Sequence, residues 1–421
     1  MPNIRDILIE SNPWWKAPTK IVYKERDLYT HLKKFLKLPQ IISITGMRRV
    51  GKTTLMLKIL QDSIQRGYNP HNLLYFSFDE FRDIDIRELL NQYERILSKS
   101  LKHGKYLILF DEIQKLKNWE DQIKRLYDIY KNNVKIIISG SESLFIKKKS
   151  RSTLAGRLFE FILRPLTFKE YLRFIDVHYE KKELYEKELE EHLTNYKWTQ
   201  GFPELVNIND KEIIKKYIKE SIVEKVIYRD IPGLLKIRDI SVLESILTIF
   251  MEEPGQIIEL SELASELHIT RQTLSMYLRY LESSFLIQKL YNFSKNKRKT
   301  ERKLKKYYPR IVSVDLLFKN ESASQSKILE WFVVNQLDVE YFWRDSYKNE
   351  VDIIKTKDNK IIPIEVKYGK IETKSLLKFM DIYHLNKGYI ITSNIEALYE
   401  HDKKSIQAIP VHKFLINNYL P

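Results

Sequence analysis

The sequence predicts an α/β protein of several domains, and three stretches carry that prediction. The first is 41–54, IISITGMRRVGKTT, where a short apolar run meets a glycine-bounded loop and then a helical pattern. The second is a pair of apolar runs, 106–110 (YLILF) and 134–139 (VKIIIS), with helical periodicity between them, as buried parallel strands require. The third lies far downstream, where 350–354 (EVDII) and 361–367 (IIPIEVK) flank a Lys357-Asp358-Asn359 turn and read as paired strands. A chain of 421 residues is too long for one core. The expected divisions are 1–166, an α/β core with an N-terminal adaptor; 167–235, a helix-rich region; 236–315; and 316–421.

The first stretch fits G-x-x-x-x-G-K-[ST], the P-loop, with Gly46, Gly51, Lys52 and Thr53 at the fixed positions. The two glycines let the backbone curl around phosphate oxygens without Cβ clashes, and the helix N-terminus points its N–H groups at the anion. Lys52 is placed to reach the β- and γ-phosphates of ATP, and the Thr53 hydroxyl to ligate Mg²⁺. Arg49 within the loop and Thr54 after Thr53 join the expected ATP contacts. Residues 72–78 (NLLYFSF) read as a second strand, with helices at 86–101 and 119–132. The 106–110 strand ends in Asp111-Glu112, the Walker B pattern. Asp111 is the candidate for the Mg²⁺ shell and Glu112 for polarising the attacking water. At the tip of 134–139, Ser141 is read either as a γ-phosphate sensor or as an ordinary turn serine.

Composition narrows the setting. There is no cysteine, which excludes disulfides and thiolate-bound zinc. No N-terminal apolar signal core and no membrane-length apolar run occurs, so a cytoplasmic protein without a membrane partner is expected. A formal net charge of +16 favours an anionic partner, with DNA the expectation.

From Leu154-Ala155-Gly156-Arg157 onward the motifs become family-specific. GMRRVGKTT, LFDEIQ, SGSES, LAGR, RPLTFKEYL and QGFPELV follow one another over roughly residues 20–235. In this they resemble a family of prokaryotic, mainly archaeal, P-loop ATPases of the AAA+-like, signal-transduction group. The resemblance implies that Arg157 stands near the γ-phosphate as a catalytic arginine, in cis or from a neighbouring subunit of a homo-oligomer. The alternative is a surface arginine in a loop. The resemblance also implies a helical lid over 167–235, its geometry set by the Gly201-Phe202-Pro203-Glu204 turn.

Residues 240–315 read as a winged helix. Helical patterns at 242–250, 260–267 and 271–282 place Leu263, Ala264, Leu267, Ile269, Leu274, Leu278 and Leu281 in a shared core, with Thr270 capping the third helix. Arg271, Gln272, Ser275 and Arg279 face outward as DNA contacts, and Lys297, Arg298, Lys299 and Lys303 supply a basic wing. Winged helices also serve as interdomain packing modules, and both readings stand. In 316–421, Asp352 on one strand and Glu365-x-Lys367 on the next resemble the PD-(D/E)xK nuclease fold, a restriction-endonuclease-like α/β domain. Glu330 in the helix 327–337 matches that family's helix acid. The resemblance implies that Asp352, Glu365 and Glu330 hold Mg²⁺ and that Lys367 is catalytic. The expected function is an ATP-hydrolysing ATPase acting on DNA, coupled to a Mg²⁺-dependent nuclease-like domain. The alternative is an ATP-dependent switch whose C-terminal domain binds nucleic acid or protein without chemistry.

Overall fold

The computed structural model describes residues 3–79, 81, 84–141, 153–178, 182–234, 237, 239–296, 300, 304–358 and 360–417. They fall into two units, Met1–Leu166 and Thr167–Pro421.

The first unit begins with helix α1 (Ile4–Ser11), capped by the Asn3 side chain. Trp14 and Trp15 follow in a buried turn. Next come α2 (Asp27–Leu32), strand β1 (Ile41–Thr45), α3 (Lys52–Gln65), β2 (Leu73–Ser77), α4 (Ile86–Leu97), β3 (Tyr106–Asp111), α5 (Trp119–Tyr130), β4 (Val134–Gly140) and β5 (Leu158–Ile162). The sheet order is β2-β3-β4-β1-β5, and every pairing is parallel. Strands β1 and β3 are buried along their whole length, because helices cover both faces. Parallel order also puts every strand's C-terminal end on one edge, where ligands bind in open α/β sheets.

The N-terminal segment closes the open side of β2. Asn12 Nδ2 donates to the Tyr75 carbonyl at 2.9 Å and its Oδ1 accepts from the Tyr75 amide at 2.7 Å. Both indoles, of Trp14 and Trp15, donate to the Leu73 carbonyl. An edge strand that would otherwise expose its backbone is thereby covered.

The second unit contains α6 (Phe168–Phe174), α7 (Glu186–Thr199), α8 (Lys211–Lys216), α9 (Ile231–Leu234), α10 (Ile240–Glu252), β6 (Gln256–Ile258), α11 (Leu260–Glu266) and α12 (Arg271–Ser283). It continues with β7 (Ile287–Asn292), β8 (Lys305–Pro309), α13 (Val314–Leu317), α14 (Ser322–Leu337), β9 (Tyr341–Arg344), β10 (Glu350–Lys357) and β11 (Lys360–Lys367). It ends with α15 (Lys374–Tyr383), β12 (Lys387–Thr392), β13 (Ala397–His401), β14 (Lys404–Pro410) and α16 (Val411–Ile416). Between α8 and α9 the chain stays helical with a widened, π-type pitch. Thr167 and Glu170 form a reciprocal capping box at the start of α6. The Gln200 side chain exchanges two hydrogen bonds with the backbone of Val312, tying the end of α7 to the segment after β8.

Nine strands of this unit form one mixed sheet, β13-β14-β12-β11-β10-β9-β7-β8-β6. The join is a short parallel pairing of β7 with β9, Tyr291 opposite Tyr341 and Asn292 opposite Phe342. The Asn292 amide extends it, donating to the Arg344 carbonyl at 2.8 Å and accepting from the Arg344 amide at 3.2 Å. The three-strand ribbon β6-β8-β7 and the later strands therefore share one backbone ladder.

Candidate functional site

Loop 46–51 leaves β1 and enters α3. Gly46 has φ 148°, and a Cβ there would sit 2.1 Å from the Leu163 carbonyl oxygen, so only glycine fits. Gly51 (φ 95°) and Arg49 (φ 64°) are left-handed, which turns the loop tightly. Lys52 is 6% exposed, and its ammonium donates to the carbonyls of Gly46 and Met47, both at 3.0 Å. Arg26, from before α2, braces the loop from behind by donating to the Val50 carbonyl at 2.8 Å and to the Arg164 carbonyl at 2.5 Å. Arg26 escaped the sequence reading because no motif marks it. Arg49, Thr53 and Thr54 are exposed at the loop and the first turn of α3.

The acidic pair meets the loop across the sheet. Because β4 lies between β1 and β3, its tip falls between the P-loop and the end of β3. Thr53 Oγ1 donates to Asp111 Oδ2 at 2.6 Å, and Tyr75 donates to the same oxygen at 2.9 Å. Ser139 donates to Asp111 Oδ1. Burial, then the Asp111 carboxylate, pushes the Tyr75 phenol up, so it stays a donor. Glu112 sits at φ 51°, with its amide donating to Asp111 Oδ1 and to Ser139 Oγ. Gln114 Nε2 donates to Glu112 Oε2 at 2.6 Å and to Ser141 Oγ at 3.1 Å. Ser141 in turn lies 3.4 Å from Glu112 Oε2, so it orients that carboxylate. Gln114, Ser139 and Tyr75 are the members the sequence reading missed; Gln114 was in view as the end of LFDEIQ.

These residues suit a Mg²⁺–nucleotide. The glycine cradle is one that a Cβ would fill, a buried ammonium lies along it, and hard oxygen donors from Thr53 and Asp111 already touch. Arg157 is not part of this gathering. Its backbone carbonyl accepts from the Ile41 amide at the start of β1, and Leu158 is level with Ile41. That is the opposite end of the strand from Gly46, roughly 16 Å away at strand rise. The Arg157 side chain pairs with Asp128 at 2.9 Å. A cis contact with a nucleotide on the loop is therefore not made from this position.

The second expected site forms around a different cation. Asp352 on β10 and Glu365 on β11 are buried, and Glu330 comes from α14. The Lys306 side chain, 5% exposed on β8, enters among them. Its ammonium lies 2.5 Å from Glu330, 2.7 Å from Glu350 and 3.7 Å from Asp352. Tyr308 also donates to Glu330. Lys367 pairs with Glu365 Oε1 at 2.7 Å, while Glu365 Oε2 is buried with no hydrogen-bond partner. Asp352 Oδ2 accepts from the Val366 amide at 2.8 Å. Burial, then Glu330 and Glu365, pushes the Asp352 carboxyl well above its ordinary range. Burial, with Glu330 and Glu350, raises Glu365 to about 7 against the pull of Lys367. Among the described residues no group of three or more His, Asp and Glu side chains is arranged to hold a metal ion. Asp352 and Glu330 share the Lys306 ammonium with Glu350, because β8 reaches them through the shared sheet, while Glu365 pairs with Lys367 instead.

Arg271, Gln272, Ser275 and Arg279 are all exposed along α12, and Thr270 caps that helix by accepting from the Thr273 amide. Lys297, Arg298, Lys299 and Lys303 lie outside the described residues. Among the described residues no helix is long and apolar enough to cross a membrane.

Comparison with known families places an AAA domain at residues 38–172, a domain of unknown function (DUF8612) at 190–313 and another (DUF4143) at 326–414. The chain is 31% identical over 350 residues to the uncharacterized protein MJ1544 of Methanocaldococcus jannaschii, covering 78% of this chain and 75% of that one. It is 27% identical over 415 residues to MJ1637 of the same organism, covering 90% and 85%. Among solved structures it is similar to Cdc6p from Pyrobaculum aerophilum, at 12% identity and a TM-score of 0.30, over 75% of this chain and 97% of that one. The chain belongs to the family of MJ1544, and consists of an AAA-family P-loop ATPase domain followed by two domains of unknown function.

Proposed function

We propose that this chain binds and hydrolyses ATP at loop 46–54 and couples nucleotide state to DNA held by its second unit. The reading rests on one observation above the others: the contact of Thr53 with Asp111, beside a Glu112 carboxylate already oriented by Gln114 and Ser141. Lys52 supplies the charge that balances phosphate, and Thr53 and Asp111 supply oxygen donors for Mg²⁺. Bound Mg²⁺ neutralises charge on the phosphates of ATP. Glu112 accepts the proton of the attacking water, and Gln114 holds its carboxylate in one orientation meanwhile. Tyr75 and Ser139 fix Asp111 so that its oxygens need no reorganisation.

For the second unit, α11 and α12 with the ribbon β6-β8-β7 are read as a winged helix. Arg271, Gln272 and Arg279 contact DNA, and Lys297, Arg298, Lys299 and Lys303 track phosphates. Strands β9–β12 are read as restriction-endonuclease-like. Lys306 among the carboxylates favours a binding role for that part over cutting, because the ammonium stands where a divalent cation is needed. The unpartnered Glu365 Oε2 beside Lys367 favours the nuclease reading, and no cleavage step is assigned to it.

The test is steady-state ATP hydrolysis by wild type and Lys52→Ala, each with and without duplex DNA, beside Mg²⁺-dependent nicking of plasmid by wild type and Asp352→Ala. Turnover that Lys52→Ala abolishes and DNA stimulates supports the proposal. Turnover that survives in Lys52→Ala refutes it. Nicking lost in Asp352→Ala establishes the nuclease reading, and absence of nicking leaves the binding role.

A further inference from the structure

A cavity of about 210 Å³ opens in the second unit between α7, α14 and α16. Glu190, Thr194 and Lys197 share one face of α7 at helical spacing and form a wall. His412 from α16 and Ser393, just after β12, also line it.

Two groups in this cavity lack partners, one a buried ring and the other a half-buried ammonium. His412 is 2% exposed, and neither ring nitrogen makes a hydrogen bond. The Glu190 carboxylate is 3.7 Å from its Nδ1, beyond hydrogen-bond range. Burial lowers the pKa of His412 against the pull of Glu190 and Glu186, which leaves a neutral ring with one donor and one acceptor. Lys197 is the second. The residue is half-buried, burial lowers its pKa, and among the described residues its ammonium has no hydrogen bond or ion pair. Buried polar groups in native proteins are almost always satisfied, and the half-buried Lys197 ammonium has no ion pair to answer its charge. Glu190 does not answer it: that side chain is 51% exposed, and its charge is solvated.

We infer that this cavity binds a small anion, a carboxylate- or phosphate-bearing molecule, with Lys197 balancing its charge and His412 donating to it. The Thr194 hydroxyl already donates to the Glu190 carbonyl and the Ser393 hydroxyl to Asn394 Oδ1, so the donors to the anion are Lys197 and His412. The volume admits a ligand the size of a phosphate ester or a dicarboxylic acid, and excludes a nucleoside triphosphate. This site is separate from loop 46–54, which belongs to the other unit.

The test is titration of the full-length chain, ¹³C-labelled at histidine, with inorganic phosphate and separately with malonate. The His412 ring signal is assigned by its loss in His412→Gln. A saturable shift of that signal is expected with at least one anion, and phosphate alone, malonate alone or both identifies the class. Lys197→Met should weaken that binding about tenfold or more, because a hydrogen bond to a charged group is lost; Lys197→Gln serves if the first variant misfolds. No saturable shift with either anion, or the same saturation in both Lys197 variants, overturns the proposal.

Discussion

Replacing Lys306 by methionine keeps the length of the side chain and removes the ammonium that Glu330, Glu350 and Asp352 share. Lys306 is almost wholly enclosed, so water does not take over its role. Removing one partner of a buried ion pair costs about 3–5 kcal/mol, since the remaining charge is left uncompensated. For a domain of this size class each kcal/mol moves the melting temperature by about 2–4 °C, giving an expected loss of roughly 6–20 °C. The loss should be largest at pH 8 and shrink toward pH 5. Asp352, whose carboxyl lies well above its ordinary range through burial and then through Glu330 and Glu365, takes up a proton more readily as pH falls and asks for less counter-charge. Mn²⁺ should restore part of the stability of Lys306→Met, because the freed carboxylates then bind a divalent cation, and should do little for wild type. The assay is scanning calorimetry of both proteins at the two pH values, with and without Mn²⁺. A melting temperature within about 2 °C of wild type at pH 8 would refute the reasoning.

Gly46→Ala forces a Cβ against the Leu163 carbonyl at a left-handed position, so it should lose nucleotide binding and destabilise the first unit by about 1–3 kcal/mol, read by titration of a fluorescent ATP analogue and by melting. Arg157→Ala removes a partly exposed ion pair with Asp128 and should change stability by less than about 1 kcal/mol. If the arginine acts on a neighbouring subunit, mixing Arg157→Ala with Lys52→Ala chains restores part of the lost ATP turnover; an inert mixture argues against that role. Glu365 loses its proton near 7 in the folded chain and near 4.5 in the unfolded one, through burial and then Glu330 and Glu350. The unfolded chain therefore releases the proton first, and stability falls as pH rises from about 4.5 to 7, by about 3 kcal/mol from this group. In Glu365→Gln that fall should flatten in urea titrations across the range, and an unchanged slope would contradict the assignment.

The P-loop, the acidic pair after β3 and the tip of β4 were legible in the sequence because each joins a buried strand to a residue type with one chemical use. Residue Gln114 and the Arg26 brace were not, since a side chain that orients another leaves no spacing signal of its own. Strand β5 went unread because 158–162 (LFEFI) is short and only partly buried at the sheet's edge. Helix α1 has no expectation from the sequence, although Asn3 ahead of Ile4 and Leu8 is a cap before an apolar face. The helices around Thr270 and the strands bearing Asp352 and Glu365 followed from period alone. Their union in one sheet did not, because it rests on the pairing of β7 with β9, far apart in sequence. That same pairing brings Lys306 to the carboxylates, so the cation of the acidic cluster was hidden in a segment read as a basic wing.

Glu112 is proposed as the proton acceptor of an ATPase site whose binding groups are Lys52, Thr53 and Asp111. Glu112→Gln tests it most directly, because the amide keeps the shape and still accepts a hydrogen bond but cannot take a proton. Mg²⁺–ATP affinity and the single-turnover hydrolysis rate should be measured on the same preparation. Affinity within a few-fold of wild type and hydrolysis slowed by about 10²–10⁴ are expected. Hydrolysis at the wild-type rate with binding intact would contradict that role.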